Sequence, residues 1–210
     1  MTDEEYFKRS EVSNSTLTWL KDKLTDKPFV DPTDAFFFGS LLDAMVTEPH
    51  RIDFKNQTYD GNYVEQHFWN DAINCLNSLK NDPSISAIKD AEFQKVFIRE
   101  MEFDYRGIKF TLGVRCKWDF FGTISGDLKS TAATSQKSFE AACEFFSYWR
   151  SRAWYMDISG TDLDLLVGVS KKNYKVFKKV IRRGDDFYEK GKKEYTELAF
   201  KFWILQHFIN

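Results

Sequence analysis

The sequence predicts an α/β (α+β) chain built around a small mixed β-sheet flanked by helices. Up to about residue 80, apolar residues recur at helical spacing. From Phe93 the period changes to two, through Val96, Ile98, Ile108, Phe110, Leu112, Val114 and Cys116. Beyond about residue 135 helical spacing returns, interrupted by two short extended segments. Helices, consecutive strands, a helix, short strands and a last helix make a layered core in which each apolar face finds a partner.

The elements follow in order. Ser13-Asn-Ser reads as a helix start, because a serine or asparagine oxygen accepts an orphan backbone N–H ahead of Leu17, Leu20 and Leu24. Asp34 to about Thr47 is apolar enough to be a helix buried on most sides. A polar stretch without strand periodicity runs from Pro49 to about Gly61. Tyr63 to Leu79 then places Val64, Phe68, Ala72, Cys75 or Leu76, and Leu79 on one helical face, and Asp82-Pro83 ends it. Asp104-Tyr-Arg-Gly107 is a hairpin turn between two alternating strands, and a third strand is expected from Phe120 to about Leu128. One aromatic-rich helix is expected over Ser135 to Met156, with Leu163–Val169 and Tyr174–Ile181 either extended segments or loop. The last helix carries its stripe on Tyr188, Tyr195, Leu198 or Ala199, Phe202 and Leu205.

A chain of 210 residues suits one domain. The expected organisation is one domain over 1–210, with 1–92 a helical part and 93–210 the sheet core and C-terminal helix. Hydrophobic residues at 42% and charged residues at 30% exclude a disordered chain. No apolar run reaches membrane-spanning length, and Met1-Thr-Asp-Glu-Glu is acidic where a signal peptide is basic, so a cytoplasmic protein with no membrane partner is expected. Cys75, Cys116 and Cys143 are too scattered for a disulfide framework or a Cys-x-x-Cys metal site, and read as buried thiols. A net charge of -2 gives no global footprint for nucleic acid, so binding would need a local run of cations.

Dinucleotide, P-loop, serine-hydrolase and zincin motifs are all absent. His50, His67 and His207 lie far apart, and a lone histidine is more often a surface or core residue than a ligand. The informative stretch is Val114-Arg-Cys-Lys-Trp-Asp119, followed after a break by Gly126-Asp127-Leu-Lys129-Ser-Thr131. At period two, Asp127 and Lys129 share a strand face near Asp119, so two carboxylates and an ammonium converge. Hard divalent cations take one or two carboxylates plus water and phosphate oxygens, which points to metal-assisted phosphodiester hydrolysis. An acidic-x-Lys triplet alone is weak: roughly three are expected by chance in a chain of this composition. Asp53-Phe-Lys55 is a second copy, discounted because it lacks strand periodicity. A solvated strand face with a chance ion pair is the bland alternative for Asp127 and Lys129.

The stretch resembles the active-site core of the PD-(D/E)XK nuclease superfamily, and most closely its RecE-like and RecB-like recombination exonucleases. Lys117-Trp118-Asp119 and Asp127-Leu128-Lys129-Ser130-Thr131 are similar to the family's Asp strand end and Asp-Leu-Lys-Thr-Thr. Ser13-Asn-Ser-Thr-Leu resembles its N-terminal Ser-x-Ser-x-Leu, and Phe38-Gly39 through Asp43 to Glu48-Pro49 its Gly-x-x-x-His helix ending in Glu-Pro. Tyr148-Trp-Arg-Ser151-Arg-Ala153-Trp-Tyr155 resembles its Tyr-x-x-Gln-Ala-Ala-x-Tyr helix. The matches run in order from about Tyr6 to Met156.

The resemblance implies a restriction-endonuclease-like core, with Lys129, Asp127 and Asp119 as catalytic residues. It also implies a Mg²⁺ site, with Mn²⁺ as substitute, formed by Asp119, Asp127, the Leu128 carbonyl and Asp43. Asp43 stands where the family has histidine, and oxygen would make the site harder; an ordinary surface helix residue is the alternative. Ser151 replaces the family glutamine, Tyr155 is kept, and Trp118 replaces a proline. The implied function is a DNA exonuclease of phage or mobile-element recombination or repair. Its implied partners are DNA, further copies in a ring and a single-strand annealing protein. Lys171, Lys172, Lys175, Lys178, Lys179, Arg182 and Arg183 place seven cations in thirteen positions, suited to tracking phosphates or, alternatively, to guarding an edge strand. Two other readings stay open: a catalytically inactive DNA-binding or assembly protein on the same fold, and an endonuclease.

Overall fold

The computed structural model describes residues 1–26, 31, 33–83, 85 and 88–208. Its N-terminal part contains α1 (Asp3–Phe7), α2 (Asn14–Leu24), α3 (Thr33–Thr47), a 3₁₀ turn at Pro49–Arg51, β1 (Ile52–Asp53), β2 (Thr58–Tyr59), β3 (Asn62–Tyr63) and α4 (Gln66–Lys80). The remainder contains β4 (Glu92–Tyr105), β5 (Ile108–Phe121), β6 (Gly126–Thr131), α5 (Gln136–Phe145), α6 (Tyr148–Ser159), β7 (Leu163–Ser170), β8 (Val176–Arg182) and α7 (Asp186–Phe208).

The main sheet has the order β4-β5-β6-β7-β8. It is mixed, as expected: β6 and β7 run parallel, and the other neighbours are antiparallel. Residues of β7 alternate between its two faces. Leu165, Val167 and Val169 pack towards α3 and α4 with Leu41, Leu42, Leu76 and Leu79. Leu166 packs on the opposite face with Phe139, Trp154, Tyr188 and Leu198 of α5, α6 and α7. Every core layer is thus an apolar helix stripe against one side of a strand pleat.

Local chemistry sets the helix starts. Thr16 N–H donates to Ser13 Oγ at 3.2 Å and Ser13 N–H donates back to Thr16 Oγ1 at 3.3 Å, a reciprocal cap on α2. The segment before α2 is pinned to β5, because the buried Arg115 guanidinium donates to the Tyr6 and Arg9 carbonyls, each at 2.6 Å. Val12 bridges Val114 beside it.

Three expected elements differ. The single helix over Ser135–Met156 is two helices, broken at Ser147, whose φ of 54° is left-handed and cannot continue a right-handed helix. The break lets α5 set Phe139 against Phe177 of β8 (5.8 Å between centroids) while α6 packs along α7. The third strand begins at Gly126, since Phe120 and Phe121 complete β5 and residues 122–125 turn the chain. The polar stretch after Pro49 folds as a small sheet of order β1-β2-β3, whose two-residue strands are too short to show a period. Arg51 ties it together, reaching Asp60 at 2.7 Å and Glu48 at 2.9 Å. Asp53 accepts from the backbone N–H groups of Lys55 and Asn56, which makes the discounted Asp-Phe-Lys copy a turn. All three cysteines are free and buried.

The α6–α7 crossing depends on Gly191, where an added Cβ would lie 2.1 Å from the Trp149 carbonyl oxygen. Gly191→Ala should therefore lower stability by about 1–3 kcal/mol, the usual cost of overpacking. A urea unfolding midpoint equal to that of the wild type would refute this account of the crossing.

Candidate active site

The candidate site forms where two neighbouring strands part. β5 and β6 pair only at Phe120↔Gly126. Gly126 makes that contact possible: a Cβ there would stand 2.0 Å from the Leu165 carbonyl oxygen and 2.4 Å from the Phe120 ring. Past this pair β6 follows β7 in parallel register, from Gly126↔Leu165 to Thr131↔Ser170. In the resulting gap the Leu128 N–H donates to Asp119 Oδ2 at 2.7 Å.

Asp119 sits where strand alternation reverses. Trp118 and Phe121 pack together with rings 6.0 Å apart, although strict alternation would put them on opposite faces. Across the hairpin, Phe93↔Phe120 and Lys95↔Trp118 bracket Gln94, whose φ of 54° is left-handed inside a strand. Its Nε2 donates to Asp43 Oδ2 and to Thr47 Oγ1, both at 2.9 Å. The Thr47 hydroxyl in turn lies 3.3 Å from Asp43 Oδ1. A strained non-glycine conformation at such a position marks a constraint worth its cost. Sequence reading misses Gln94, because nothing about a glutamine in an alternating run announces a left-handed backbone.

Asp127 and Lys129 share a face of β6, as their spacing requires, and form an ion pair. The other oxygen of Asp127, Oδ1, lies 3.2 Å from Nη1 of Arg152 on α6. Arg152 is 1% exposed. Its Nε lies 3.4 Å from Asp164 Oδ2, and its guanidinium sits 4.3 Å from the Tyr155 ring centroid and 5.2 Å from that of Trp118. Arg152 occupies the first alanine position of the Tyr-x-x-Gln-Ala-Ala-x-Tyr pattern. Sequence reading passes over it, since one more arginine on a helix looks like surface.

These contacts separate the carboxylates electrostatically. Burial pushes Asp127 upward, but the cations Arg152 and Lys129 outweigh it and hold the group below the usual aspartate range. For Asp119, burial and then the charges of Asp127 and Asp43 push well above that range. Asp43 is raised to about 6 by burial, against Lys129 and with Asp127. Burial works against the Lys129 ammonium, yet Asp127 and Asp119 more than offset it and raise Lys129. Lys129 therefore stays a cation at neutral pH, and Asp43 belongs to the same electrostatic cluster.

The remaining expected residues divide. Tyr155 packs on Arg152, whereas the Ser151 hydroxyl donates to the Tyr148 carbonyl of its own helix at 3.0 Å. Leu128 puts its side chain in the core between α3 and the sheet. Of the seven-cation run, Lys171, Lys172 and Lys175 lie at or next to the turn after β7, where Lys171 N–H donates to the Thr131 carbonyl at 2.8 Å, two residues from Lys129. Lys178 pairs with Asp82 at 2.6 Å and Lys179 stands over the Phe187 ring. Arg182 and Arg183 are at the other end of β8, an edge strand of the sheet. Arg183 is committed to structure, held by Asp157, Asp162 and the Tyr188 hydroxyl. The run from Lys171 to Arg183 is thus divided between a cationic turn beside β6 and an edge strand whose Lys178, Lys179 and Arg183 engage Asp82, Phe187 and Asp157.

Whether the residues suit a divalent cation turns on charge and donor type. Asp43, Asp119, Asp127 and Asp164 oppose Lys129 and Arg152, so a fully ionised cluster carries two uncompensated negative charges. Its donors are carboxylate oxygens, the choice of a hard ion. Among the described residues, no three His, Cys, Asp or Glu side chains are gathered closely enough as they stand to hold a metal ion. The fit is to a pair of carboxylates completed by water, the arrangement Mg²⁺ commonly takes.

No family model and no curated protein matches the sequence. Among solved structures, one described as "Putative exonuclease" from Eubacterium rectale shares the fold: TM-score 0.56, 15% identity, covering 88% of this chain and 71% of that one. A phage related exonuclease from Haemophilus somnus 129PT aligns over 94% of this chain and 95% of its own, at TM-score 0.45 and 11% identity, too low to add weight. The architecture shared with that structure is the mixed sheet flanked by helices described above. Among the described residues, no helix is long and apolar enough to cross a membrane.

Buried Asp164 supplies a test of this electrostatic account. Burial outweighs Arg152 and raises it to about 7. Between the ordinary aspartate pKa and about 7 the folded chain holds a proton that the unfolded chain has lost, so this group's contribution to stability falls as pH rises through that window. Asp164→Asn should therefore gain stability relative to wild type between pH 4 and pH 7, with no further gain above it. Chemical denaturation at pH 4, 5.5, 7 and 8.5 measures it, and a pH-independent difference would contradict it.

Proposed function

We propose that the chain is a Mg²⁺-dependent deoxyribonuclease, with Mn²⁺ as a working substitute. The observation that carries this is the meeting of Asp119, Asp127 and Lys129 with Asp43 at the gap between β5 and β6. A fold shared with a structure described as an exonuclease supports it at the level of architecture. Bound there, the metal would polarise a phosphoryl oxygen and lower the pKa of a water.

Asp119 and Asp127 would hold the ion, with the Leu128 carbonyl and Asp43 beside them. Asp119 is positioned by the Leu128 N–H, and Asp127 by two cations that keep it ionised before substrate arrives. Lys129, being cationic, would orient the attacking water and offset charge on the scissile phosphate rather than act as the base. Its side chain retains 32% exposure, enough for the ammonium to meet an incoming phosphate. The turn holding Lys172 and Lys175 would contact phosphates further along the strand.

Action at the ends of linear DNA, in phage or mobile-element recombination or repair, belongs to the same proposal. So do a homo-oligomeric ring and a single-strand annealing partner; all of these come from the family resemblance. The alternative is an inactive DNA-binding or assembly protein. It is favoured by one observation: both oxygens of Asp127 already face cations, with the family's glutamine position reduced to Ser151.

End-labelled linear duplex incubated with Mg²⁺, Mn²⁺ or EDTA decides between them. Metal-dependent degradation is expected, with Lys129→Ala and Asp127→Ala each lowering the rate by about 10²-fold or more. Equal inertness of all three proteins with DNA still bound would establish the alternative, and cleavage of closed circles would indicate an endonuclease. Separately, Lys172→Gln with Lys175→Gln should weaken DNA binding in EDTA and flatten its salt dependence by about one unit of slope for each phosphate no longer neutralised. Fluorescence anisotropy across a salt series reads that change.

A further inference from the structure

Granted the metal-dependent reading above, we propose that this centre takes a single divalent ion, and that the Arg152 guanidinium stands as a built-in cation where a second ion would otherwise bind. A two-metal site holds its ions about 3.5–4 Å apart. A carboxylate that bridges two ions needs lone pairs not already engaged by other partners. Asp119, Asp43 and Asp127 each have an oxygen already engaged.

Asp119 Oδ2 accepts from the Leu128 N–H at 2.7 Å. Asp43 Oδ2 accepts from Gln94 at 2.9 Å, and its Oδ1 lies within 3.3 Å of the Thr47 hydroxyl. Asp127 faces Lys129 through Oδ2 and Arg152 through Oδ1.

The two cations on Asp127 are not equivalent. Lys129 is a flexible chain whose side chain is 32% exposed, so its ammonium can move off Oδ2 and leave that oxygen to an ion. Arg152 cannot follow. Its side chain is 1% exposed, its Nε lies 3.4 Å from Asp164 Oδ2, and its guanidinium stands against the rings of Trp118 and Tyr155. The Oδ1 side of Asp127 is therefore closed for as long as the fold persists. Only the Oδ2 side remains for a metal.

The experiment counts Mn²⁺ on the metal-stripped full chain, by the electron paramagnetic resonance signal of free Mn²⁺ and by calorimetry, without reference to activity. Wild type is expected to take one equivalent. Arg152→Gln combined with Asp164→Asn, which avoids leaving a buried aspartate unpaired, is expected to take two, the second more weakly. Two equivalents on wild type overturn the proposal even where the variant does not fold. One equivalent on a folded variant, shown by an unchanged near-ultraviolet dichroism spectrum, also overturns it. No Mn²⁺ on wild type is a different failure, since it removes the metal-dependent function itself and this centre with it.

Discussion

A guanidinium shut away from water must be neutralised where it stands, and much of the site's arrangement follows from that requirement at Arg152. Removing an arginine's charge from solvent costs several kcal/mol unless opposing charges and polar contacts compensate. Asp127 on β6 supplies the opposing charge, Asp164 on the neighbouring β7 lies 3.4 Å away, and two aromatic faces complete the enclosure. The ion contacts join α6 to both β6 and β7. They orient Asp127, which pairs with Lys129 on the same face of β6, and they leave one carboxylate in the cluster reliably charged. A buried ion network of this kind is weak evidence for stability, but it does specify one arrangement of the elements it joins.

The second constraint is the near absence of pairing between β5 and β6. A sheet usually satisfies its backbone groups through continuous ladders. Here the ladder between these two strands is reduced to one residue pair, and a carboxylate takes the N–H of Leu128. The gap is a place where acidic side chains from both strands can converge without being covered by a neighbouring ladder. α3 brings Asp43 to it and Gln94 holds Asp43 there, through a backbone conformation that a strand does not otherwise adopt. Four separate chain segments thus meet at one gap, and each is held by a polar contact rather than by apolar packing alone.

Around this polar centre the rest of the molecule is unusually aromatic. The 21 phenylalanines and six tryptophans are mostly packing elements: Phe103, Phe110 and Trp154 fill the space between the hairpin and α6 and α7. Phe145 and Phe146, at the break between α5 and α6, are among the exposed ones, with Phe7, Trp19, Phe36, Phe54 and Phe208. The cationic run likewise falls into two structural settings. Its turn stands near the centre, while Lys178, Lys179 and Arg183 anchor or guard an edge strand.

The sequence by itself determined the order of helices and strands, the mixed sheet and the shared face of Asp127 and Lys129, because those follow from periods of 3.6 and 2.0 that need no knowledge of distant residues. The cap at Ser13 was legible from its side-chain chemistry, and the buried cysteines from their scatter along the chain. The break at Ser147, the start of β6 at Gly126 and the small sheet after Pro49 were not, since a left-handed residue, a close strand approach and two-residue strands have no period to read. The site divides along the same line. Asp119, Asp127 and Lys129 announce themselves through local spacing, whereas Gln94, Asp164 and Arg152 acquire their importance only when segments distant in sequence are brought together. Tertiary structure alone decided that an arginine resembling a surface helix residue would be buried against two aspartates, because burial is a property of the packed whole and the charge it isolates must find its partners there.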